Sequence, residues 1–343
     1  MKMKEAKFYS AGPNATVQCH LCPHGCRLKE GDTGICRVRQ NTGGVLEAIS
    51  YGHITSWGID PVEKKPLYHF YPGSEVLSVG TYGCSFSCQF CQNWSIVHET
   101  GVPTLQVTPE ELVERCLRER DQRNECIGLA FTYSEPLVWY EYVGEAAQLA
   151  KTHGLKTVLI TNGYVQQKPW EELLPYVDAA NLDVKSFRND FYRSLCRGSL
   201  TPVKQAVQSA YEAKVHVEIT TLLVEGLNDS EDEIQELSQW LSSLNAEIPL
   251  HLSRYFPAYQ MDRPATSLEA LEGARRIARQ HLDYVYLGNV WGMEHHSTYC
   301  PKCDELLIRR KGLGISVRQL QGRRCQRCGW LLPIVGEAKN SGK

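Results

Sequence analysis

The strongest constraint on this chain is the bunching of its cysteines. Of 14 in all, 11 fall into three compact groups: Cys19, Cys22, Cys26 and Cys36, then Cys84, Cys88 and Cys91, then Cys300, Cys303, Cys325 and Cys328. There is no run of about 18 apolar residues to cross a bilayer, and residues 1–5 lead into no apolar signal core. A cytoplasmic protein is therefore expected, and in that compartment grouped thiols point to metal or redox chemistry before disulfides. At 343 residues and 42% hydrophobic composition the chain suits one large domain with small modules, which excludes a fibre or a disordered chain. Lys plus Arg number 37 against 39 Asp plus Glu, so the whole-chain charge of −2 signals no bulk polyanion partner. Cys116, Cys126 and Cys196 stand outside the groups and read as small apolar core residues.

From about residue 76 to about 292 short apolar runs alternate with longer amphipathic ones, the signature of βα units around a parallel sheet. Strands are expected at 76–79, 127–131, 157–160, 179–184, 215–222 and 249–252, with 284–287 as a seventh. Helices are expected at 110–120, 137–151, 202–213, 231–244 and 268–280. The first opens with Thr108-Pro109-Glu110-Glu111, an N-cap, a proline at the first helical position and acids in the first turn. The pattern suits an α/β partial (β/α)6 barrel, TIM-like, better than an open Rossmann sheet, with small Cys-rich modules at both termini. The expected organisation is a Cys-rich module and extended clamp over 1–75, the barrel over 76–292, a zinc-ribbon-like module over 293–335 and a disordered tail over 336–343.

The segment from Gly83 to Trp94 follows the first barrel strand and carries Cys84, Cys88 and Cys91 as C-x3-C-x2-C. Three thiolates are one too few for a tetrahedral zinc site or a four-iron cluster, so another ligand must complete the shell. With Phe90 just before the last cysteine, the loop resembles the cluster loop of the radical S-adenosylmethionine (SAM) enzymes. That resemblance implies a 4Fe-4S cluster whose fourth iron is chelated by SAM. Reductive cleavage would then give a 5′-deoxyadenosyl radical that removes hydrogen from a substrate. A barrel interior suits the task, because it excludes water and stray hydrogen donors.

The resemblance extends to other strand ends, where barrel active sites gather. Thr132-Tyr133-Ser134-Glu135-Pro136 lies where the superfamily has a Gly-Gly-Glu-like segment that holds the SAM amine. Glu135 is retained and the glycines are replaced, with Tyr133 and Ser134 as neighbours. Thr161 and Asn162 end the third strand. Asp183 and Lys185 match an Asp-x-Lys of the pyruvate formate-lyase activating enzymes, in which the Lys reaches the SAM carboxylate. His251 and Arg254 are the polar residues offered by the sixth strand, as donors to a carboxylate.

The carboxyl-terminal cysteines form two C-x2-C knuckles with 21 residues between them, a spacing that suits structural zinc, with a rubredoxin-like iron site as the alternative. Eight basic residues, Lys302, Arg309, Arg310, Lys311, Arg318, Arg323, Arg324 and Arg327, could give this module a face for RNA or an acidic protein, or simply a solvated one. The amino-terminal C-x2-C-x3-C-x9-C also supplies four thiolates, for which structural zinc is expected ahead of a second iron-sulfur cluster.

Along nearly its whole length the chain resembles the AmmeMemoRadiSam system radical SAM enzymes, relatives of the pyruvate formate-lyase activating enzymes. The stretches that carry this are 19–37, 60–74, the cluster loop, 181–187 and the terminal knuckles. Residues 63–74 are the most specific to the branch, and an extended clamp over the barrel mouth is expected there. The resemblance implies AMMECR-like and Memo-like partner proteins and a low-potential electron donor. The reaction expected is hydrogen abstraction from a macromolecule, either a glycine on a partner protein or a nucleotide. The alternative is a SAM- and cluster-binding sensor or scaffold.

Overall fold

The apolar runs of the middle segment are strands buried on both faces, as parallel strands covered by helices must be. A computed structural model describes residues 4–99, 101–123, 125–290 and 295–341. Its main sheet contains β1 (Ser56–Pro61), β2 (Glu75–Gly80), β3 (Cys126–Phe131), β4 (Lys156–Thr161), β5 (Ala179–Asp183), β6 (His216–Leu223), β7 (Leu250–Arg254) and β8 (Val285–Gly288). The strands lie side by side in sequence order, so β8 and β1 are the two edges of a partial barrel. From β2 to β8 every neighbouring pair is parallel, and the seventh strand expected at 284–287 is present as β8.

Helices α1 (Pro109–Arg123), α2 (Tyr140–Thr152), α3 (Gln167–Leu173), α4 (Leu200–Glu212), α5 (Glu231–Asn245) and α6 (Leu268–Ala278) make the crossovers. Thr108 and Glu111 cap α1 reciprocally: Glu111 N donates to Thr108 Oγ1 at 3.2 Å and Thr108 N donates to Glu111 Oε2 at 2.8 Å. Leu112, Val113 and Cys116 form its buried stripe, and each apolar side chain so buried contributes about 1.5–3 kcal/mol. Helix α3 is absent from the sequence expectation because Pro169 sits in its first turn, where a proline is tolerated but masks the helical pattern.

Strand β1 also lies outside the sequence expectation. It pairs antiparallel to β2, with Ser56 opposite Gly80 and Pro61 opposite Glu75. Gly58, Asp60 and a terminal proline hide it, and an edge strand tolerates all three. Its direction carries residues 62–74 to the amino-terminal end of the barrel strands, so the expected clamp over the mouth is instead a plug in the opposite end. The carboxylate of Glu218, fully buried on β6, accepts from Tyr68 N (3.0 Å), His69 N (2.7 Å), His216 Nε2 (3.0 Å) and His251 Nε2 (2.6 Å). Asn181 Nδ2 donates to Pro66 O at 2.7 Å from the same level of the barrel.

The carboxyl-terminal module sits on this plug. Its hairpin, Leu306–Lys311 with Gly314–Val317, packs on Leu332 and Ile334 in a small core of its own. Arg310 is buried, donates to Thr298 Oγ1 (2.7 Å) and Tyr68 O (2.8 Å), and lies 4.1 Å from the centre of the Tyr68 ring. It therefore cannot belong to a nucleic-acid face. Arg323 and Arg324 donate to the carbonyls of Ile334 and Gly329, and Arg327 pairs with Glu305 at 3.3 Å. The tail expected to be disordered is held over its described part: Val335 N donates to His69 O, Lys339 N to Pro72 O, and Ser341 pairs with Ile315. Gly342 and Lys343 lie outside the described residues, as does the expected boundary at 292/293.

Glu63, buried in the plug, accepts from Gly73 N at 2.9 Å through Oε1 and has no partner for Oε2. Burial pushes its pKa from 4.5 up to about 7. Between those values the folded protein holds a proton that the unfolded chain has released, so stability falls as pH rises through the window. Glu63→Gln should leave the midpoint of thermal unfolding nearly unchanged at pH 5. At pH 8 it should raise stability by about 2 kcal/mol, since one pK unit is about 1.4 kcal/mol. Equal effects at the two pH values would exclude this account.

Candidate active site at the carboxyl ends of the strands

The cysteine loop leaves the carboxyl end of β2 and is fastened to the loop after β5, with Ser87 N donating to Cys196 O (2.9 Å) and Gln89 N to Leu195 O (3.0 Å). Phe86 packs so tightly on Gly198 that a Cβ there would lie 2.2 Å from its ring. Cys84, Cys88 and Cys91 face one cavity of about 260 Å³, which the ends of β3 to β7 also line. Cys84 Sγ accepts from Phe86 N at 3.3 Å and from Asn162 Nδ2 at 3.5 Å. Hydrogen bonds aimed at a sulfur suit a thiolate that ligates iron. Cys196 is fully buried and does not line the cavity.

Glu135 joins the ends of β3 and β4. Its Oε1 accepts from Leu137 N (2.9 Å) and Thr161 Oγ1 (2.6 Å), and its Oε2 accepts from Asn162 N (2.8 Å). Burial pushes its pKa up to about 7. With both oxygens engaged, Glu135 shapes the wall of the cavity, and Thr161 spends its hydroxyl on Glu135 and does not line it. Tyr133 adopts a left-handed backbone (φ 69°), rare for a bulky residue, while its hydroxyl donates to Asp60 Oδ2 at 2.8 Å. Strain of this kind collects where a backbone must face a ligand.

Asp183 and Lys185 line the far side as an ion pair, Nζ to Oδ2 2.8 Å. Burial works against the ammonium, but the Asp183 carboxylate and the Cys88 thiol outweigh it and hold the Lys185 pKa above its ordinary value. Asn228 Nδ2 donates to Lys185 O at 2.7 Å, and Lys185 N donates to the Tyr192 hydroxyl at 3.0 Å, which fixes the backbone that carries the pair.

Three of the sequence-predicted residues are not at the cavity. Thr161 stands behind Glu135, as above. His251 points into the barrel, but at the lower level, on Glu218. Arg254 is on the opposite face of β7 and donates through Nε to Thr266 O at 2.7 Å. Alternation along the strand explains Arg254, since 251 and 253 share the inner face and 254 does not, whereas depth explains His251. The inner residue at the level of the cysteines is Ser253.

Residues 78–241 match the model of the Radical SAM superfamily. The chain is 41% identical over 340 residues to an uncharacterized protein of Methanocaldococcus jannaschii, covering 97% of this chain and all of that one. It is 26% identical over 203 residues to the pyruvate formate-lyase-activating enzyme of Clostridium pasteurianum, covering 57% of this chain and 84% of the enzyme. The chain carries a radical SAM domain. A crystal structure of a radical SAM methyltransferase from Sphaerobacter thermophilus shares the fold, with a TM-score of 0.50 at 20% identity over 64% of this chain and 67% of that one.

That domain makes the protein a radical SAM enzyme and implies a 4Fe-4S cluster and SAM. The residues fit: three thiols and no fourth cysteine face a cavity that also offers an ammonium, a carboxylate and strand-end polar groups. Lining residues missed in the sequence include Asn93 and His98, just beyond the cysteine loop, and Asn289, beyond β8. Proximity to Cys91 was the available signal for the first two; nothing in the sequence marked Asn289.

The terminal cysteines differ in geometry. Cys300, Cys303, Cys325 and Cys328 have all four sulfurs within 4.8 Å of one another, with contacts of 3.4 Å (Cys300 to Cys328) and 3.6 Å (Cys303 to Cys325). Among the described residues this is the one group of three or more metal-ligating side chains gathered so closely. Cys19, Cys22, Cys26 and Cys36 instead surround a second cavity. Cys116 and Cys126 meet in the core, their sulfurs 4.0 Å apart. No helix of the described residues is long and apolar enough to cross a membrane.

Proposed function

We propose that this protein is the radical SAM member of an AmmeMemoRadiSam system and acts, in the manner of an activating enzyme, on a macromolecular substrate. The observation that carries the reading is the placement of three cysteines and the Asp183–Lys185 pair on one cavity at the carboxyl ends of the strands. When bound there, a 4Fe-4S cluster and SAM would supply a 5′-deoxyadenosyl radical able to take hydrogen from a carbon centre. Cys84, Cys88 and Cys91 would hold the cluster. Lys185 would bind the SAM carboxylate in place of Asp183, and the strained backbone around Tyr133, with Ser134, would bind the SAM amine. Glu135, Thr161 and Asn162 position that wall.

The macromolecule would be presented by AMMECR-like and Memo-like partners, with a low-potential one-electron donor. The close carboxyl-terminal quartet would hold structural zinc, because Zn–S bonds of about 2.3 Å set tetrahedral sulfurs about 3.8 Å apart. Metal analysis without zinc would remove that assignment.

Lys185→Ala should weaken SAM binding about tenfold or more while leaving iron content unchanged, since it removes one charged hydrogen-bond partner. Unchanged affinity in a titration would remove the role. The substrate class is tested by incubating the reduced enzyme and SAM with deuterated partner proteins. Deuterium in 5′-deoxyadenosine is expected, and its absence with both partners would exclude them as hydrogen donors.

A further inference from the structure

We infer that Cys19, Cys22, Cys26 and Cys36 hold a second iron-sulfur cluster of the 4Fe-4S type. Zinc would draw four sulfurs to about 3.8 Å from one another, whereas a four-iron cubane holds its thiolates about 6 Å apart. The chain's two other cysteine groups offer a comparison. The carboxyl-terminal quartet is gathered within 4.8 Å, as zinc demands. Among the described residues no three of the amino-terminal sulfurs are so close, and neither are Cys84, Cys88 and Cys91, yet each set lines one cavity. The amino-terminal thiols, like those of the active-site loop, are not drawn together as a zinc quartet is.

Their surroundings suit a cluster. Leu21 and Val138 wall the cavity and are buried, and Gly34 leaves room between Cys36 and Cys26: a Cβ there would stand 3.6 and 3.8 Å from their sulfurs. Arg39, buried beside them, is neutralised by Glu141 through bonds of 2.7 and 2.8 Å, which also fixes this module on α2.

The cavity adjoins the active-site loop. Gly83, next to Cys84, has φ 88°, and a Cβ there would lie 2.6 Å from Cys36 O; His24 Nε2 is 2.7 Å from Ser85 O. Ile35, which lines the amino-terminal cavity, is 49% exposed, so this site has a solvent side. A low-potential one-electron carrier would reduce the amino-terminal cluster from 2+ to 1+. The same electron would then pass to the cluster at Cys84, Cys88 and Cys91, returning the first to 2+ with no proton moved. This relay rests on the function proposed above; the metal assignment does not.

The test is metal content and spectroscopy of the full chain reconstituted anaerobically. About eight irons per chain are expected in the wild type, and about four in the variant C84A/C88A/C91A. Reduction of that variant should give an electron paramagnetic resonance signal that SAM does not alter. Two zincs and no iron in the triple variant would overturn the assignment. If that variant does not fold, four irons and two zincs in the wild type would overturn it equally. For the relay, freeze-quench of the wild type with a reduced flavodoxin should show the SAM-insensitive signal before the SAM-perturbed one, and the reverse order would exclude it. Loss of any SAM effect in the wild type would count against the active-site cavity alone.

Discussion

Cys88→Ala should abolish 5′-deoxyadenosine formation from SAM under strong reductant, with a loss of at least a thousandfold. Cys88 is one of the three thiols on the cavity, and a four-iron cluster left with two protein ligands cannot keep one iron open for a small molecule. The residue also shares the cavity with the Asp183–Lys185 pair, whose Lys185 it helps to hold charged, so its removal disturbs the charge balance of the pocket as well as the metal. The measurement is chromatographic quantitation of 5′-deoxyadenosine with anaerobically reconstituted protein. Residual activity within tenfold of the wild type would mean that the cluster is held elsewhere.

Glu218→Ala should destabilise the fold by about 3–5 kcal/mol, because it removes the acceptor shared by four donors and strands them. Four donors converge on this carboxylate, two from the plug and two from neighbouring histidines. Burial alone would raise its pKa, but the bonds from His216 and His251 outweigh that and hold it well below 4.5. Its contribution is therefore complete above about pH 4.5 and lost as acid titrates it. Denaturant unfolding at neutral pH checks the magnitude, and a change under 1 kcal/mol would show that the plug is ornamental.

Much of this architecture could be read from residues alone because the relevant patterns are local. A strand buried on both faces is a continuous apolar run, a helix start is a capping box, and C-x3-C-x2-C is one loop. Asp183 and Lys185 were legible because they end such a run. What failed depended on direction or depth. The antiparallel course of β1 turns residues 62–74 from a cover into a plug, and no periodicity encodes that turn. His251 occupies the inner face of β7, but one layer below the cysteines, where Glu218 claims it. Arg310 looked like one of many surface cations until the Tyr68 carbonyl and ring captured it. The distances between sulfurs, which separate the two terminal groups, are likewise a property of folded loops and not of intervals along the chain.

The plug has a kinetic consequence. With the lower end of the barrel filled by residues 66–70, traffic is one-sided: cofactor and substrate would approach through the same aperture. If the substrate is the macromolecule proposed above, SAM would have to arrive first and its fragments depart last, so a surplus of that substrate should throttle turnover instead of saturating it.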